Sequence, residues 1–313
     1  MMGSGRTSSQ PRLYYEDTGP GSGEPFLFIT GWTISAAVFE PVAPLYTDRF
    51  RVVSFDLRCT GRSERRAGLV SMADLAADAA RVLDAAGIVS AHVFGISMGG
   101  MIAQELAIRF PDRVRGLVLA GTWTGGPLAA RPRPFELLET SGRIATGSLS
   151  RRRLWLGPLL FSEGFLRDQP ERSAELAAYF RAHPAPLWAG GAQLLGSIYQ
   201  DTTRRLDQIR SPTLVMHGDL DAMVPLANAR FLAGRIPDAE LAVFEGTGHA
   251  FPLEAPERSR DALYEWLDRR GPIGPGARYS PARARRERLG RPFALPVGAV
   301  RTGRSLLTRA LRG

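Results

Sequence analysis

Short apolar runs alternate with helix-length amphipathic segments from Leu13 to Gly121, and the same alternation resumes after about residue 205. Strands separated by helices pair in parallel through crossovers, so this pattern predicts an α/β fold with a mostly parallel central sheet flanked by helices. Residues 25–29, 51–55, 91–94, 115–120, 212–217 and 240–244 read as strands. They are apolar at nearly every position instead of at alternate ones, as strands buried on both faces are. Ser71 and Asp74 form a capping-box-like start to a helix that carries Leu75, Ala79, Val82 and Leu83 on one face and stops at Gly87. Further helices are predicted over 101–110, 226–235 and 256–269.

The alternation breaks once. Residues 125–205 contain no convincing strand but carry helix-spaced apolar residues such as Phe161, Phe165, Leu176, Tyr179 and Phe180. They read as a helical insertion on a continuous sheet. The chain therefore divides into a flexible N-terminus (1–11), a core in two pieces (12–124 and 206–270), the insertion (125–205) and a Gly/Pro/Arg-rich tail (271–313).

Composition narrows the function class. With 44% hydrophobic and 23% charged residues, wholesale disorder, a collagen-like repeat and a disulfide scaffold are excluded. A single cysteine, Cys59, demands no oxidising compartment. No run of about 18 apolar residues is present, and the polar first ten residues do not resemble a secretory signal. A cytoplasmic location is expected. All 40 basic residues are arginine, and 30 of them in residues 1–270 balance 30 carboxylates. The net charge of +9 thus belongs to the last 43 residues, where 10 arginines face only Glu287. A neutral body gives no reason to expect nucleic acid as a partner. The segment 272–313 is a solvated extension or, on a sharper reading, an attachment to an anionic membrane surface or acidic partner.

The chemistry-bearing sequence is Gly95-Ile96-Ser97-Met98-Gly99, placed between a predicted strand and a predicted helix. In that setting the turn holds serine in a strained backbone conformation with its hydroxyl projecting above the sheet, and the helix start supplies the free amide of Met98. A serine hydroxyl needs a base. Of the four histidines, His92 and His217 lie in strands and read as packed structural residues, while His183 beside Pro184 reads as surface or lid. His249 lies in a loop just past a strand's carboxyl end, where catalytic groups converge in open α/β sheets. An acid must orient that imidazole. Asp219 and Asp221 both follow a strand end; Asp221 is preferred because it precedes the turn at Val224-Pro225. The oxyanion needs two donors, and the amides of Met98 and Trp32 are the candidates.

These pieces, with Phe28-Ile29-Thr30-Gly31-Trp32, Asp56-Leu57-Arg58-Cys59-Thr60-Gly61 and Gly246-Thr247-Gly248-His249, resemble the α/β-hydrolase superfamily, serine-hydrolase branch, over about residues 12–270. In flavour they are similar to carboxylesterases, enol-lactonases and cofactor-free haloperoxidases. The resemblance implies Ser97, Asp221 and His249 as nucleophile, acid and base, an α/β-hydrolase fold with an inserted helical cap, and no metal or organic cofactor. It further implies a small-molecule ester or lactone substrate with a hydrophobic acyl or alkyl group, held by Trp32, Trp123, Phe161 and Trp188. A diketone C–C hydrolase, a perhydrolase or a non-catalytic binder are the alternatives. Two departures stand out: Thr30 replaces the family's usual histidine before glycine, and Cys59 stands where glycine is usual.

Overall fold

The computed structural model describes residues 3–66, 68–130 and 157–274. Among them eight strands form one sheet in the order β1-β2-β4-β3-β5-β6-β7-β8. The parallel portion comprises β3 (Glu24–Ile29), β4 (Phe50–Phe55), β5 (Ala91–Ile96), β6 (Val114–Ala120), β7 (Thr213–Gly218) and β8 (Ala239–Phe244). These are the six strands the apolar runs predict.

At one edge β1 (Gly3–Arg6) pairs antiparallel with β2 (Tyr14–Thr18), which pairs antiparallel with β4. The flexible start expected for residues 1–11 is thus corrected at Gly3–Arg6. Ladder hydrogen bonds need only backbone, so an exposed Gly-Ser-Gly-Arg segment joins an edge without any apolar signature.

Helix α1 (Met72–Ala85) connects β4 to β5, and α2 (Met98–Arg109) connects β5 to β6. Ser71 caps α1 as its sequence predicts: its hydroxyl accepts the Asp74 amide at 3.1 Å while the Asp74 carboxylate accepts the Ser71 amide at 3.0 Å. The insertion follows β6. Its described residues include the helices α3 (Gly157–Leu160), α4 (Glu163–Asp168), α5 (Pro170–Arg181) and α6 (Leu187–Ile198). An isolated antiparallel bridge between Gly125 and Asp201 closes its neck, supported by the Thr202 amide donating to Thr124 O at 3.1 Å. Beyond the neck α7 (Leu226–Arg235) connects β7 to β8, and α8 (Phe251–Glu254) leads into α9 (Pro256–Arg270).

Two apolar layers sandwich the sheet. On one face Leu27, Val53, Val93, Leu117 and Val215 pack against Leu75, Ile102, Leu106 and Leu232 of α1, α2 and α7. On the other, Phe26, Phe28, Phe94, Val118 and Leu214 pack against Leu263, Trp266 and Leu267 of α9. Consecutive residues of one strand enter opposite layers, which is why the strands show no polar alternation. Among the described residues no helix is long and apolar enough to cross a membrane. The tail reading, from residue 275 onward, lies outside the described residues.

Candidate active site

Three loops at the carboxyl ends of β5, β7 and β8 carry Ser97, Asp221 and His249. Ser97 sits between β5 and α2 at φ 57 and ψ −123, a backbone conformation costly for any residue but glycine. Local hydrogen bonds hold it there. Its amide donates to Ala120 O at 2.9 Å, and its carbonyl accepts the Thr122 hydroxyl at 2.6 Å and the Gly100 amide at 2.9 Å. Gly99 is required for space as well: a Cβ there would stand 2.2 Å from the carbonyl oxygen of Ile29. Helix α2 starts at Met98, three residues earlier than the sequence predicts, so its first amide lies next to the nucleophile candidate.

His249 is buried, and its Nδ1 lies 2.7 Å from Asp221 Oδ2. The other oxygen of Asp221 accepts the amides of Met223 at 2.8 Å and Val224 at 2.8 Å, which fixes the carboxylate's rotation. Asp219, the aspartate the sequence reading sets aside, makes different contacts. Asp219 Oδ1 accepts the Gly246 amide at 2.7 Å and so shapes the entry to the histidine loop.

Two contacts around this pair are not read from the sequence, although His217 is the packed residue it predicts. His217 is buried, with Nε2 2.8 Å from Val224 O and 3.3 Å from Asp221 Oδ2. Burial pushes its proton affinity below the usual histidine range, so it stays neutral and its Nε2–H points at the turn that holds Asp221. Its spacing of four residues from Asp221 was visible beforehand, but nothing local distinguishes it from a packed imidazole. Glu254 accepts the Gly248 amide at 2.9 Å and the Ser162 amide at 3.2 Å, joining the histidine loop to the insertion. No short-range pattern announces that contact.

The loop after β3 approaches the same place. A Cβ on Gly31 would stand 3.7 Å from Ser97 Oγ, so this loop borders the hydroxyl. Thr30, one of the two departures from the usual pattern, is buried and donates its hydroxyl to Ile34 O at 2.9 Å, closing the loop from within. Cys59, the other, adopts φ 66, the left-handed region in which glycine is free of strain. Its thiol is buried, donates to Arg66 O at 3.1 Å, and is pushed by burial above the usual thiol range.

A cavity of about 80 Å³ opens over these groups, bounded by Gly31, Trp32, Ser97, His249 and the apolar side chains of Ile34, Phe39, Leu160, Phe180, Met223 and Leu253. Of the four side chains expected to line it, only Trp32 does. Phe161 is buried within the insertion, stacked on Phe165 with ring centroids 5.0 Å apart. Trp123 packs against the core layer on the α1 and α2 side. Trp188 is 45% exposed on the outer side of α6. Helical spacing marked the right types of residue but could not say which way each one faces.

The fold and this constellation define a class: the chain belongs to the α/β-hydrolase-fold family, whose model matches residues 24–256, and it is a hydrolase of that fold. It is 35% identical over 259 residues to a protein of Azorhizobium caulinodans named as a carbamate hydrolase, RutD, a match spanning 80% of this chain and 93% of that one. The structure resembles an esterase from Thermogutta terrifontis, with TM-score 0.71, 28% identity, and coverage of 85% of this chain and 98% of that one. It equally resembles Est816, described as an N-acyl homoserine lactone degrading enzyme, with TM-score 0.71, 28% identity, and coverage of 84% and 100%.

Proposed function

We propose that the protein is a serine hydrolase that cleaves a carboxylic ester or lactone bearing a small apolar acyl or alkyl group. The observation carrying this reading is the 2.7 Å contact between His249 Nδ1 and Asp221 Oδ2, made in the cavity wall that also holds Ser97 on its strained turn. In this reading His249 Nε2 takes the proton of Ser97 Oγ as the oxygen attacks the substrate carbonyl. Asp221 fixes the imidazole tautomer and stabilises its charged form. The amides of Met98 and Trp32 receive the oxyanion, an interaction worth about 10²–10³ in rate per donor in such sites. His249 then returns the proton to the leaving alkoxide, and water releases the acyl group by the same route.

The apolar lining supports an apolar group on the substrate. The cavity's small size, far below the roughly 300–1,000 Å³ of drug-sized pockets, supports a short one. The relatives named above act, by their names, on an ester, an acyl lactone and a carbamate, each a carbonyl joined to a heteroatom leaving group. The test is turnover of short p-nitrophenyl esters by the wild type and by Ser97→Ala. We expect a loss of at least about 10³-fold. Turnover near the wild-type level in the variant would refute the assignment.

A further inference from the structure

The loop that carries the Trp32 amide is held in place from the insertion. Thr33 sits at φ 60, the left-handed region in which a side-chain-bearing residue is strained. Two contacts from α6 clamp it. Gln193 Oε1 accepts the Thr33 amide at 3.0 Å, and Gly190 O accepts the Trp32 indole N–H at 2.7 Å. The first fixes the peptide after Trp32 and the second fixes its side chain. Together they restrain the preceding peptide, the one whose N–H is the second oxyanion-donor candidate.

Gln193 is 1% exposed, and both ends of its amide are engaged. Its nitrogen donates to Thr60 Oγ1 at 2.9 Å and lies 3.4 Å from Arg58 O. Because the Thr33 amide can only donate, the oxygen of Gln193 must face it, so the side chain has one permitted orientation. It therefore bridges the loops that follow β3 and β4.

The helix presenting it is inverted relative to an ordinary surface helix. Its inward face carries Ala189, Gly190 and Gln193, whereas Leu187, Leu195 and Ile198 point outward with exposures of 76%, 44% and 57%. Its seating on the core depends on specific hydrogen bonds more than on apolar burial. This helix is tied directly to Trp32 and Thr33 of the loop after β3.

We propose that Gln193 is a positioning residue for the oxyanion loop, coupling the seating of α6 to the placement of the Trp32 amide. The inference rests on the roles given above to Ser97 and Trp32. The experiment measures kcat and KM on a short p-nitrophenyl ester for Gln193→Leu, Gln193→Glu and Thr60→Val. Rates are normalised to sites titrated with a fluorophosphonate, so that only folded, Ser97-reactive molecules are counted.

A loop shifted by about 1 Å forfeits on the order of 10² in rate. Gln193→Leu, similar in size but without an acceptor, should lose about that much in kcat while KM stays within about threefold. Gln193→Glu keeps an oxygen for the Thr33 amide and should recover to within about tenfold of wild type. Thr60→Val removes the hydroxyl that receives the Gln193 nitrogen and should lower kcat in the same direction but less. Affinity for a boronic acid that forms a tetrahedral adduct should fall in step with kcat/KM. Should Gln193→Leu fold too poorly to titrate, the Gln193→Glu and Thr60→Val values and their boronate affinities decide. Per-site kcat within threefold of wild type in Gln193→Leu, or in Thr60→Val when the leucine variant cannot be titrated, overturns the proposal. So does a glutamate variant no better than leucine. Ser97→Ala run alongside separates the two levels: its retained turnover would remove the serine reading itself, whereas its loss beside a fully active Gln193→Leu removes only the coupling.

Discussion

Glu105→Gln probes how the helix behind Ser97 is fastened to the chain returning from the insertion. Glu105 lies on α2 with its side chain 2% exposed. It accepts from Arg205 through both terminal nitrogens, from Gln200 Nε2 at 2.8 Å and from Arg109 Nε at 2.7 Å. Burial alone would raise its proton affinity. The hydrogen bonds from Arg205, Gln200 and Arg109 outweigh burial and hold the carboxyl at about 2, against an ordinary value of 4.5.

A carboxyl lowered in the folded state contributes stability in full above its unfolded value, and the contribution drains as pH falls from about 4.5 towards 2. The whole effect is at most about 3.4 kcal/mol. Arg109 and Arg205 are themselves 49% and 31% exposed, so water screens them and about 2 kcal/mol is the better expectation. The portion lost between pH 7 and pH 3.5 is about 1.4 kcal/mol. Urea unfolding of both proteins at the two pH values measures it. The wild type should lose about 1.4 kcal/mol more than Glu105→Gln. Parallel losses in the two proteins would refute the claim that this carboxylate is held ionised by its partners.

Three further outcomes follow from the site. Asp221→Asn, which presents an N–H to His249 Nδ1 and disfavours the working tautomer, should lower kcat by on the order of 10³–10⁴ with little change in the unfolding midpoint; activity within tenfold of wild type would contradict the role given to Asp221. Gly99→Ala drives a methyl into the Ile29 carbonyl and should cost about 2–3 kcal/mol in unfolding free energy together with most of the ester turnover, so an unchanged melting curve would show that the elbow is not sterically closed. Trp188→Ser should leave stability within about 0.5 kcal/mol and KM within about twofold, because the ring stands outside the cavity. A tenfold rise in KM would return Trp188 to the substrate.

Much of the framework could be read from neighbouring residues alone. The strand runs, the Ser71 and Asp74 cap and the strained turn at Ser97 rest on backbone geometry and hydrogen bonds within a few positions along the chain. Those constraints are encoded where they act. The β1 edge strand was not readable, because its pairing uses backbone groups that every sequence possesses. Tertiary structure decided the rest. It brought Asp221 to His249, turned Phe161 and Trp188 away from the cavity, and set His217 against the Asp221 turn. It also placed Gln193 on an amide 160 residues earlier in the chain and joined Glu254 to Ser162 across 92 residues. Each of these follows from strand register and helix docking, which fix distances between residues whose own local sequences carry no trace of one another.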